Sequence, residues 1–397
     1  MKKLVENVFW VGANDWETRQ FHGYELSTHR GTTYNAYLII DEKNVLIDTV
    51  WQPLTETFIE RLTEIIELSK IDYVVINHAE PDHSGALPVI MEYCPNAKII
   101  ASKNGKESIK RHFHKDWDVT VVKTGDKINI GQNDLVFIEA PMLHWPDSMF
   151  TYLTGKNILF SNDAFGQHFA SSGIFDDEVD EAEVYEESLK YFANILTPFS
   201  KLVTKKIDEL KSLNVPLDMI APSHGIIWRN NPMRIVEKYY EWASGKSDNS
   251  VVIIYNSMWG ATKRMAEYIG YGLDDLNIPY KIYNVATADK NDIITDIFKS
   301  KGIICGSSTV NNVILSSLTP VLEEMQGLKF TNKIGATFGS YGWSGESPKV
   351  LEEYLHKAKV NVVQESIKFQ YMPNEEELKK CTDFGKSFGA KILTNEV

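Results

Sequence analysis

The apolar and polar positions of this chain follow two different patterns. From Val8 to about Pro222, short β-rich runs alternate with turns and a few helical segments. Ala36 to Ile40 and Val45 to Ile47 have the pattern of a hairpin with a polar turn, while the apolar spacing from Leu54 to Leu68 predicts a helix. This mixture favours a sandwich of two sheets flanked by helices.

Further along the chain, strand-like and helix-like segments alternate regularly. The predicted strands are Val251 to Tyr255, Tyr280 to Asn284, Gly302 to Cys305, Lys333 to Phe338 and Val360 to Ile367. The predicted helices are Thr262 to Leu276, Ile293 to Lys299, Leu318 to Gln326, Pro348 to Ala358 and Glu375 to Ile392. Five strands that alternate with helices predict a parallel, doubly wound sheet. The expected fold class is therefore α+β followed by α/β.

A polar segment rich in glycine and serine, Glu241 to Ser250, separates the two patterns and is interpreted as a linker. We therefore expect one domain over residues 1–245 and another over residues 251–397. The length of 397 residues agrees with two or three domains at about 150 residues each.

Composition narrows the class of protein. The chain is 43% hydrophobic and 24% charged, which is typical of a globular protein, and its net charge of -13 argues against a nucleic-acid or anionic-membrane partner. The N-terminus lacks an apolar stretch of signal-peptide length, and no segment approaches the ~20 apolar residues of a membrane span, so we expect a cytoplasmic protein. The three cysteines, Cys94, Cys305 and Cys381, are widely spaced and indicate neither a disulfide framework nor a thiolate metal site.

A dense cluster of possible metal ligands follows the apolar run from Tyr73 to Ile76. Within six residues the chain places His78, Glu80, Asp82 and His83, and further ligands near strand-like segments are His144, Asp163 and His224. Neighbouring carboxylates are costly to bury without cations. Seven ligands exceed the four that a closed zinc site takes. Two ions bridged by one carboxylate would account for all of them.

The turn after the first strand of the second part leads directly into a helix. Its residues are Ser257, Met258, Trp259, Gly260, Ala261 and Thr262. Hydroxyls and free backbone N–H groups at a helix N-terminus form a natural phosphate site. The turn lacks the lysine of a P-loop, and no Gly-x-Gly-x-x-Gly motif stands at a strand-to-helix turn. A monophosphate held without lysine indicates FMN.

Two further loops of small and polar residues follow the third and fourth strands of this part. They are Ser307, Ser308, Thr309, Val310, Asn311 and Asn312, and then Ser340, Tyr341, Gly342, Trp343, Ser344 and Gly345. Ligands of doubly wound sheets collect beyond the carboxyl ends of the strands. We expect the backbone amides of these loops to approach the edge of the isoalloxazine ring, and Trp259 and Trp343 to cover its faces.

The His-x-Glu-x-Asp-His pattern at residues 78–83 resembles the metallo-β-lactamase superfamily, which usually has histidine where this chain has Glu80. The additional carboxylate suits iron or manganese, although it does not exclude zinc. The three loops of the second part resemble those of flavodoxins. Taken together, the chain resembles the flavodiiron proteins over essentially its whole length. This resemblance implies an N-terminal αββα metallo-β-lactamase-like sandwich followed by a five-stranded, flavodoxin-like parallel sheet.

The resemblance also implies roles for individual residues. One iron ion would take His78, Glu80 and His144, the other Asp82, His83 and His224, with Asp163 as the bridge. His22 and Tyr191 match family positions that line the substrate pocket, and His22 would act as a proton source or hydrogen-bond donor. The remaining histidines, His29, His112, His114, His168 and His356, have no such context. Trp145 and Trp228 are expected to form an apolar wall.

The activity that the resemblance implies is the reduction of dioxygen to water, of nitric oxide to nitrous oxide, or of both. FMN would serve as the local electron reservoir, filled by an external donor such as rubredoxin, because the chain has no Cys-x-x-Cys pairs for a fused rubredoxin. In the family the two cofactors of one chain lie too far apart for rapid electron transfer. A head-to-tail homodimer, or a dimer of such dimers, is therefore expected.

Two alternatives remain open on the sequence. The first is a zinc hydrolase of the metallo-β-lactamase type with an attached flavodoxin module, which would turn over an ester, amide or thioester without reductant. Glu80 and the FMN loops argue against it. The second is an electron carrier whose metal domain only supports folding, which would consume no gas.

Overall fold

The computed structural model describes residues 2–394. The chain divides into two compact units, the first comprising residues 1–192 and 199–241, the second residues 193–198 and 242–397. Across the described range, each helix is too short or too polar to cross a lipid bilayer.

Two sheets form the centre of the first unit. The larger has seven strands in the order Lys2–Val5, Val8–Trp10, Tyr37–Ile39, Asn44–Ile47, Ile71–Ile76, Lys98–Ser102 and Val119–Val122. The smaller has five, Lys127–Asn129, Asp134–Glu139, Met149–Leu153, Ile158–Asn162 and Met219–Pro222. Short two-stranded sheets pair Ala13–Asp15 with Thr32–Tyr34 and Gln20–Phe21 with Leu26–Ser27. The predicted hairpin is the antiparallel pair Tyr37–Ile39 and Asn44–Ile47.

Alternate residues of the seven-stranded sheet enter two separate cores. Leu46 and Val74 belong to a cluster that includes Phe58 from a helix, whereas Ile47 and Val75 belong to a cluster that includes Phe137 from the other sheet. This alternation follows from the two-residue period of a strand. The helices of the unit are Thr55–Thr63, Pro81–Ser84, Leu87–Tyr93, Lys103–Phe113, Glu181–Tyr191, Ser200–Ser212 and Pro232–Ala243. The unit is therefore the expected sandwich of two sheets with helices outside.

The second unit contains one parallel sheet. Its strands lie in the order Tyr280–Asn284, Asp248–Asn256, Ser300–Ser308, Ile334–Tyr341 and Asn361–Val362, and Ile367–Gln370 also pairs with Ile334–Tyr341. The helices are Ala261–Asp274, Lys290–Lys299, Thr319–Leu328, Ser347–Lys357 and Glu375–Thr394. In chain order the sheet reads 2-1-3-4-5, the flavodoxin-like arrangement, whose ligand crevice lies between the first and third strands.

Three sequence predictions of local structure need correction. The helix predicted to reach Leu68 ends at Thr63, because the chain turns to bury Leu68 in the same core as Leu62. The strand predicted from Val360 to Ile367 is interrupted. Val362 pairs with Gly335 of the neighbouring strand, and Ile367 pairs with Phe338. These two pairs are three residues apart in the neighbour but five residues apart here, so two residues of the predicted strand cannot pair.

The third correction concerns the polar segment between the two patterns. The helix Pro232–Ala243 extends into the predicted linker, and the strand Asp248–Asn256 begins inside it. Only residues 244–247 lie outside both elements.

Candidate metal centre and flavin site

The first four candidate ligands follow the strand Ile71–Ile76. His78 and Glu80 lie in the turn after the strand, and Pro81 at the first helical position starts the short helix Pro81–Ser84 that holds Asp82 and His83. Proline is common at the first position of a helix because a backbone N–H there would have no partner within the helix. The turn and the short helix together direct four side chains to one end of the sheet.

The other three candidates come from the smaller sheet. His144 lies in the loop after Asp134–Glu139, Asp163 directly follows Ile158–Asn162, and His224 follows Met219–Pro222. The last two strands are parallel neighbours, so their carboxyl ends lie side by side. The structure therefore brings all seven predicted ligands to one place.

The two carboxylate oxygens of Asp163 face different histidines. Its Oδ2 lies 3.9 Å from Nε2 of His78 and 3.6 Å from Nε2 of His144. Its Oδ1 lies 3.0 Å from Nε2 of His83 and 3.7 Å from Nε2 of His224. Asp163 thus lies between two groups of candidate ligands.

Each group contains one further carboxylate. Glu80 Oε2 lies 3.1 Å from Nε2 of His78 and 3.9 Å from Nε2 of His144. Asp82 Oδ2 lies 3.3 Å from Nε2 of His83 and 3.0 Å from Nε2 of His224. Each side of Asp163 therefore has two imidazoles and one carboxylate of its own.

Several polar atoms of this cluster have no hydrogen-bond partner among residues 2–394. They are Oδ1 of Asp82, Nε2 of His83 and Oδ2 of Asp163, and all are buried. Buried polar atoms in folded proteins are almost always paired, so such atoms require a ligand. Mixed carboxylate and imidazole donors fit divalent or trivalent iron, and a bound cation would compensate the three carboxylates. The residues present fit a dinuclear iron centre.

Charges within the cluster strongly perturb its titration. Burial alone would raise the pKa of Asp163, but the charge of the neighbouring His83 holds this pKa well below its ordinary value. Burial opposes the charge of His83, yet the carboxylates of Asp82 and Asp163 raise its pKa to about 9. The site thus keeps its carboxylates ionised, as metal ligands must be.

The outer nitrogens of two candidate ligands have defined partners. Nδ1 of His78 lies 3.1 Å from Oδ2 of Asp147, and Nδ1 of His224 lies 2.5 Å from the carbonyl oxygen of Thr33. Both partners only accept hydrogen bonds, so each Nδ1 carries the proton and each Nε2 offers its lone pair to the cluster. Sequence reasoning missed Asp147, because only the folded structure brings it next to His78.

A cavity of about 670 Å³ opens beside the ligands. Its lining includes His22, Tyr34, Trp51 and Glu80. His22 Nε2 lies 3.4 Å from Glu80 Oε1, and although burial opposes protonation, the hydrogen bond to Glu80 raises the pKa of His22 above its ordinary value. The structure therefore places His22 at the entrance to the metal site.

Tyr191, which was expected to line the substrate pocket, is buried and is not among the residues that line this cavity. Its ring packs 5.3 Å from that of His168, which in turn lies 5.0 Å from the ring of His224, both measured between centroids. His168 was expected to have no connection with the site, and this expectation is wrong. Its Nδ1 lies 2.8 Å from Oγ1 of Thr32, and burial holds its pKa well below the ordinary value.

Of the two predicted wall residues, Trp145 contacts a candidate ligand and Trp228 packs into the core of the unit. The Trp145 ring packs edge-on against His78, with 5.3 Å between centroids. Trp228 is buried and donates its indole N–H to the carbonyl oxygen of Phe165.

In the second unit, the three predicted loops converge at the carboxyl ends of the strands. The Met258 N–H donates to Ser308 Oγ over 3.3 Å, and Thr262 Oγ1 lies 3.0 Å from Ser308 Oγ and 2.8 Å from Ser340 Oγ. Ser307 and Ser308 still belong to the third strand, and Ser340 and Tyr341 to the fourth. These contacts hold the three loops together around one crevice.

The turn before the first helix of this unit has the shape of a phosphate cradle. Gly260 adopts φ +89° with open space around it, a backbone conformation that favours glycine, and its N–H donates to Ser257 Oγ over 3.0 Å. The helix Ala261–Asp274 begins there, and the first N–H groups of a helix have no partner within it. The cradle therefore fits the phosphate of FMN.

The two tryptophans predicted to cover the flavin do not pack into the core. Trp259 is 87% exposed and Trp343 is 89% exposed. Large apolar side chains that stay so exposed at a ligand crevice are available to stack on an aromatic ring.

Comparison with known proteins agrees with both units. Residues 32–225 match the model of the ODP family beta lactamase, and residues 253–385 match that of flavodoxin. The chain is 46% identical to a nitric oxide reductase of Moorella thermoacetica, over 98% of either chain. It is 48% identical to the anaerobic nitric oxide reductase flavorubredoxin of Escherichia coli (strain K12), over 96% of this chain and 81% of the relative.

Solved structures give the same picture. The rubredoxin oxygen:oxidoreductase of Desulfovibrio gigas superposes with a TM-score of 0.96 at 37% identity, covering 99% of each chain. The flavodiiron protein of Giardia intestinalis superposes with a TM-score of 0.95 at 32% identity, covering 99% of this chain and 97% of that one.

Fold and site together define a flavoprotein oxidoreductase in which a metallo-β-lactamase-like domain precedes a flavodoxin-like domain. Within this class, the chain belongs to the flavodiiron protein family.

Proposed function

We propose that this chain reduces nitric oxide, dioxygen or both at a non-haem diiron centre, with electrons supplied through FMN. The observation that supports this most strongly is the division of the ligands by Asp163. Its two oxygens face two groups, each with two imidazoles and one further carboxylate. Two adjacent ions can bind two nitric oxide molecules side by side, or both atoms of one dioxygen molecule.

Iron and FMN would supply the redox chemistry. Two electrons and two protons convert two nitric oxides to nitrous oxide and water, and four electrons and four protons convert dioxygen to two waters. The protein's own residues position these groups and handle protons. Glu80, Asp82 and Asp163 would balance the cationic charge, and the histidines would offer Nε2 lone pairs. His22, within 3.4 Å of Glu80 and lining the cavity, is placed to donate a proton or hydrogen bond to bound substrate.

Nitric oxide is the substrate we place first. The relatives at 46% and 48% identity are named as nitric oxide reductases, whereas the structure named for oxygen reduction is 37% identical. Both substrates require the same ligands, so the site itself does not separate them.

We further propose that the active form is a head-to-tail homodimer, or a dimer of such dimers, in which the FMN of one chain lies beside the metal centre of its partner. Exposed aromatic side chains support this arrangement. Trp16, Tyr24 and Trp51 are exposed in the first unit, the last two at the cavity, while Trp259 and Trp343 are exposed at the flavin crevice. Such apolar surface is typical of a site that another molecule covers.

The proposed electron donor is rubredoxin or a similar small redox protein. The name of the Desulfovibrio gigas relative refers to rubredoxin, and that of the Escherichia coli relative to flavorubredoxin.

The test is anaerobic purification after expression with abundant iron, followed by metal and flavin analysis and then steady-state turnover with reduced rubredoxin. We expect iron and FMN in the protein and consumption of nitric oxide, dioxygen or both. A colourless protein with zinc alone, which hydrolyses an ester without reductant, would instead support the hydrolase. Iron and FMN without gas consumption would support an electron carrier.

A further inference from the structure

Asp147 is a buried carboxylate that faces the back of a candidate metal ligand. Its Oδ2 accepts hydrogen bonds from Nδ1 of His78 over 3.1 Å and from the backbone N–H of Ala79 over 2.8 Å. Only 1% of its side chain is exposed. Because a buried ionised carboxylate is costly, its presence behind His78 calls for a physical reason.

The loop that contains Asp147 is held at two points by the start of one helix. Ser102 Oγ donates to the carbonyl oxygen of Asp147 over 2.9 Å, and Asn104 Nδ2 donates to the carbonyl oxygen of Pro146, also over 2.9 Å. Ser102 in addition caps the helix Lys103–Phe113 through the N–H of Gly105. The carboxylate is thus held rigidly where it meets the imidazole.

His224, on the other side of Asp163, is supported differently. Its Nδ1 donates to a neutral backbone carbonyl, that of Thr33, whereas Nδ1 of His78 donates to a charged carboxylate. Hydrogen bonds to charged acceptors are roughly twice as strong as those between neutral groups. A carboxylate behind a ligand histidine also makes the imidazole a stronger electron donor.

We propose that Asp147 is a positioning residue for His78, which fixes its Nε2 toward the metal and strengthens its donation to the ion on the Glu80 side. The inference rests on the proposed diiron function. Greater donation stabilises the ferric state, so Asp147 lowers the reduction potential of that ion. His78 and His224 would therefore differ in how strongly they donate to the ions that they hold.

Two substitutions separate geometry from charge. Asp147→Asn has nearly the same shape and retains a carbonyl oxygen that accepts from His78 and Ala79. The geometry is therefore kept while the charge is lost. Asp147→Ala removes both accepted hydrogen bonds. The matched control is Asp72→Asn, at the opposite end of the strand that precedes His78, where the carboxylate also accepts a backbone N–H.

The measurements are iron retention against a ferrous chelator and a potentiometric titration followed by electron paramagnetic resonance. We expect Asp147→Ala to hold iron ~10–100-fold less tightly. Asp147→Asn should hold iron nearly as well as the unsubstituted chain, with a higher reduction potential, and Asp72→Asn should change neither. If Asp147→Ala does not fold, the reduction potential of iron in Asp147→Asn still tests the inference.

An unchanged potential in Asp147→Asn, in a chain that does contain iron, would overturn this inference and leave the proposed function intact. An unsubstituted chain that takes up no iron under iron-replete anaerobic conditions would overturn both.

Discussion

Nε2 of His83 lies 3.0 Å from Oδ1 of Asp163, and each side chain is 1% exposed. His83 Nε2 has no hydrogen-bond partner among the described residues, although this acceptor is so near. Nε2 of His83 therefore faces a space that Asp82 and His224 also border, where a cation would be bound.

This orientation predicts that His83 contributes to metal binding. Replacing it in His83→Asn removes an imidazole from the Asp82 side, and we expect iron to be lost mainly from that position, with total iron falling toward half. Metal analysis and Mössbauer spectroscopy measure this. The control is His356→Asn, an exposed histidine in the other unit. Full iron content in His83→Asn would show that water or another group occupies that coordination position.

Asp163→Asn is expected to have a larger effect. Only the carboxylate can offer an anionic oxygen to each side, so the amide variant should lose iron from both positions and lose turnover, while FMN remains bound in the other unit. Iron and flavin contents of the purified variant test this. Asp218→Asn, at the start of the strand that leads to His224, removes a carboxylate that contacts Asn157 and should retain iron. Full gas consumption by Asp163→Asn would contradict the site assignment.

His22→Gln separates proton supply from metal binding. The glutamine amide retains a donor toward Glu80 but cannot release a proton, so we expect normal iron and FMN with turnover reduced by ~10²–10⁴-fold. Steady-state rates with equal metal loading test it, with the exposed helix residue His112→Gln as control. Unchanged turnover would mean that His22 only shapes the cavity.

Thr262→Val tests the convergence of the flavin loops. The substitution keeps the shape of the side chain but leaves Ser308 and Ser340 without their shared hydroxyl partner, at a cost of ~1–3 kcal/mol. We expect weaker FMN binding with unchanged iron, measured by reconstitution of the flavin-free protein. Thr287→Val, an exposed threonine of the same unit, is the control. Equal FMN affinity in both variants would show that the hydroxyl cluster does not support the cradle.

Asp296 gives a pH-dependent prediction away from both sites. Burial opposes its ionisation, but hydrogen bonds from Lys281 and Tyr283 hold its pKa below the ordinary value. A carboxyl group with a lowered folded-state pKa adds stability above its unfolded pKa, near 3.8, and loses this contribution as the pH falls through the folded value.

We therefore expect Asp296→Asn to lower the free energy of unfolding by ~1–3 kcal/mol at pH 7, with the difference shrinking in acid. Urea unfolding, followed by the release of FMN, measures the free energy of unfolding of the variant and of the unsubstituted chain at each pH. A difference that stays constant down to pH 3 would contradict the assigned ionisation.

The sequence identified the features that depend on local order. The run from His78 to His83 contains four candidate ligands in six residues, which the fold brings together, and the alternation of strands and helices in the second part predicted the parallel sheet. Each of these signals is a short spacing or a regular period of residue types, which can be read from the sequence alone. The fold class was predictable for the same reason.

Features that depend on tertiary contacts were not predictable. Asp147 is 69 residues from its partner His78, and Thr32 is 136 residues from His168. The early end of the helix at Thr63 reflects the burial of Leu68, and the interruption after Val362 reflects a mismatch with the neighbouring strand. In each case packing or pairing in the folded chain decided the outcome, and the spacing of residues in the sequence does not show it.

The central claim is that the chain stores electrons in iron and FMN and delivers them to a diatomic gas. The most direct measurement is a single turnover. The protein is fully reduced without oxygen, the excess reductant is removed, and nitric oxide is added while nitrous oxide and flavin oxidation are counted. The account predicts reoxidised FMN and one nitrous oxide for every two electrons lost. Flavin that stays reduced, with no nitrous oxide formed from nitric oxide and no water from dioxygen in a parallel trial, would contradict it.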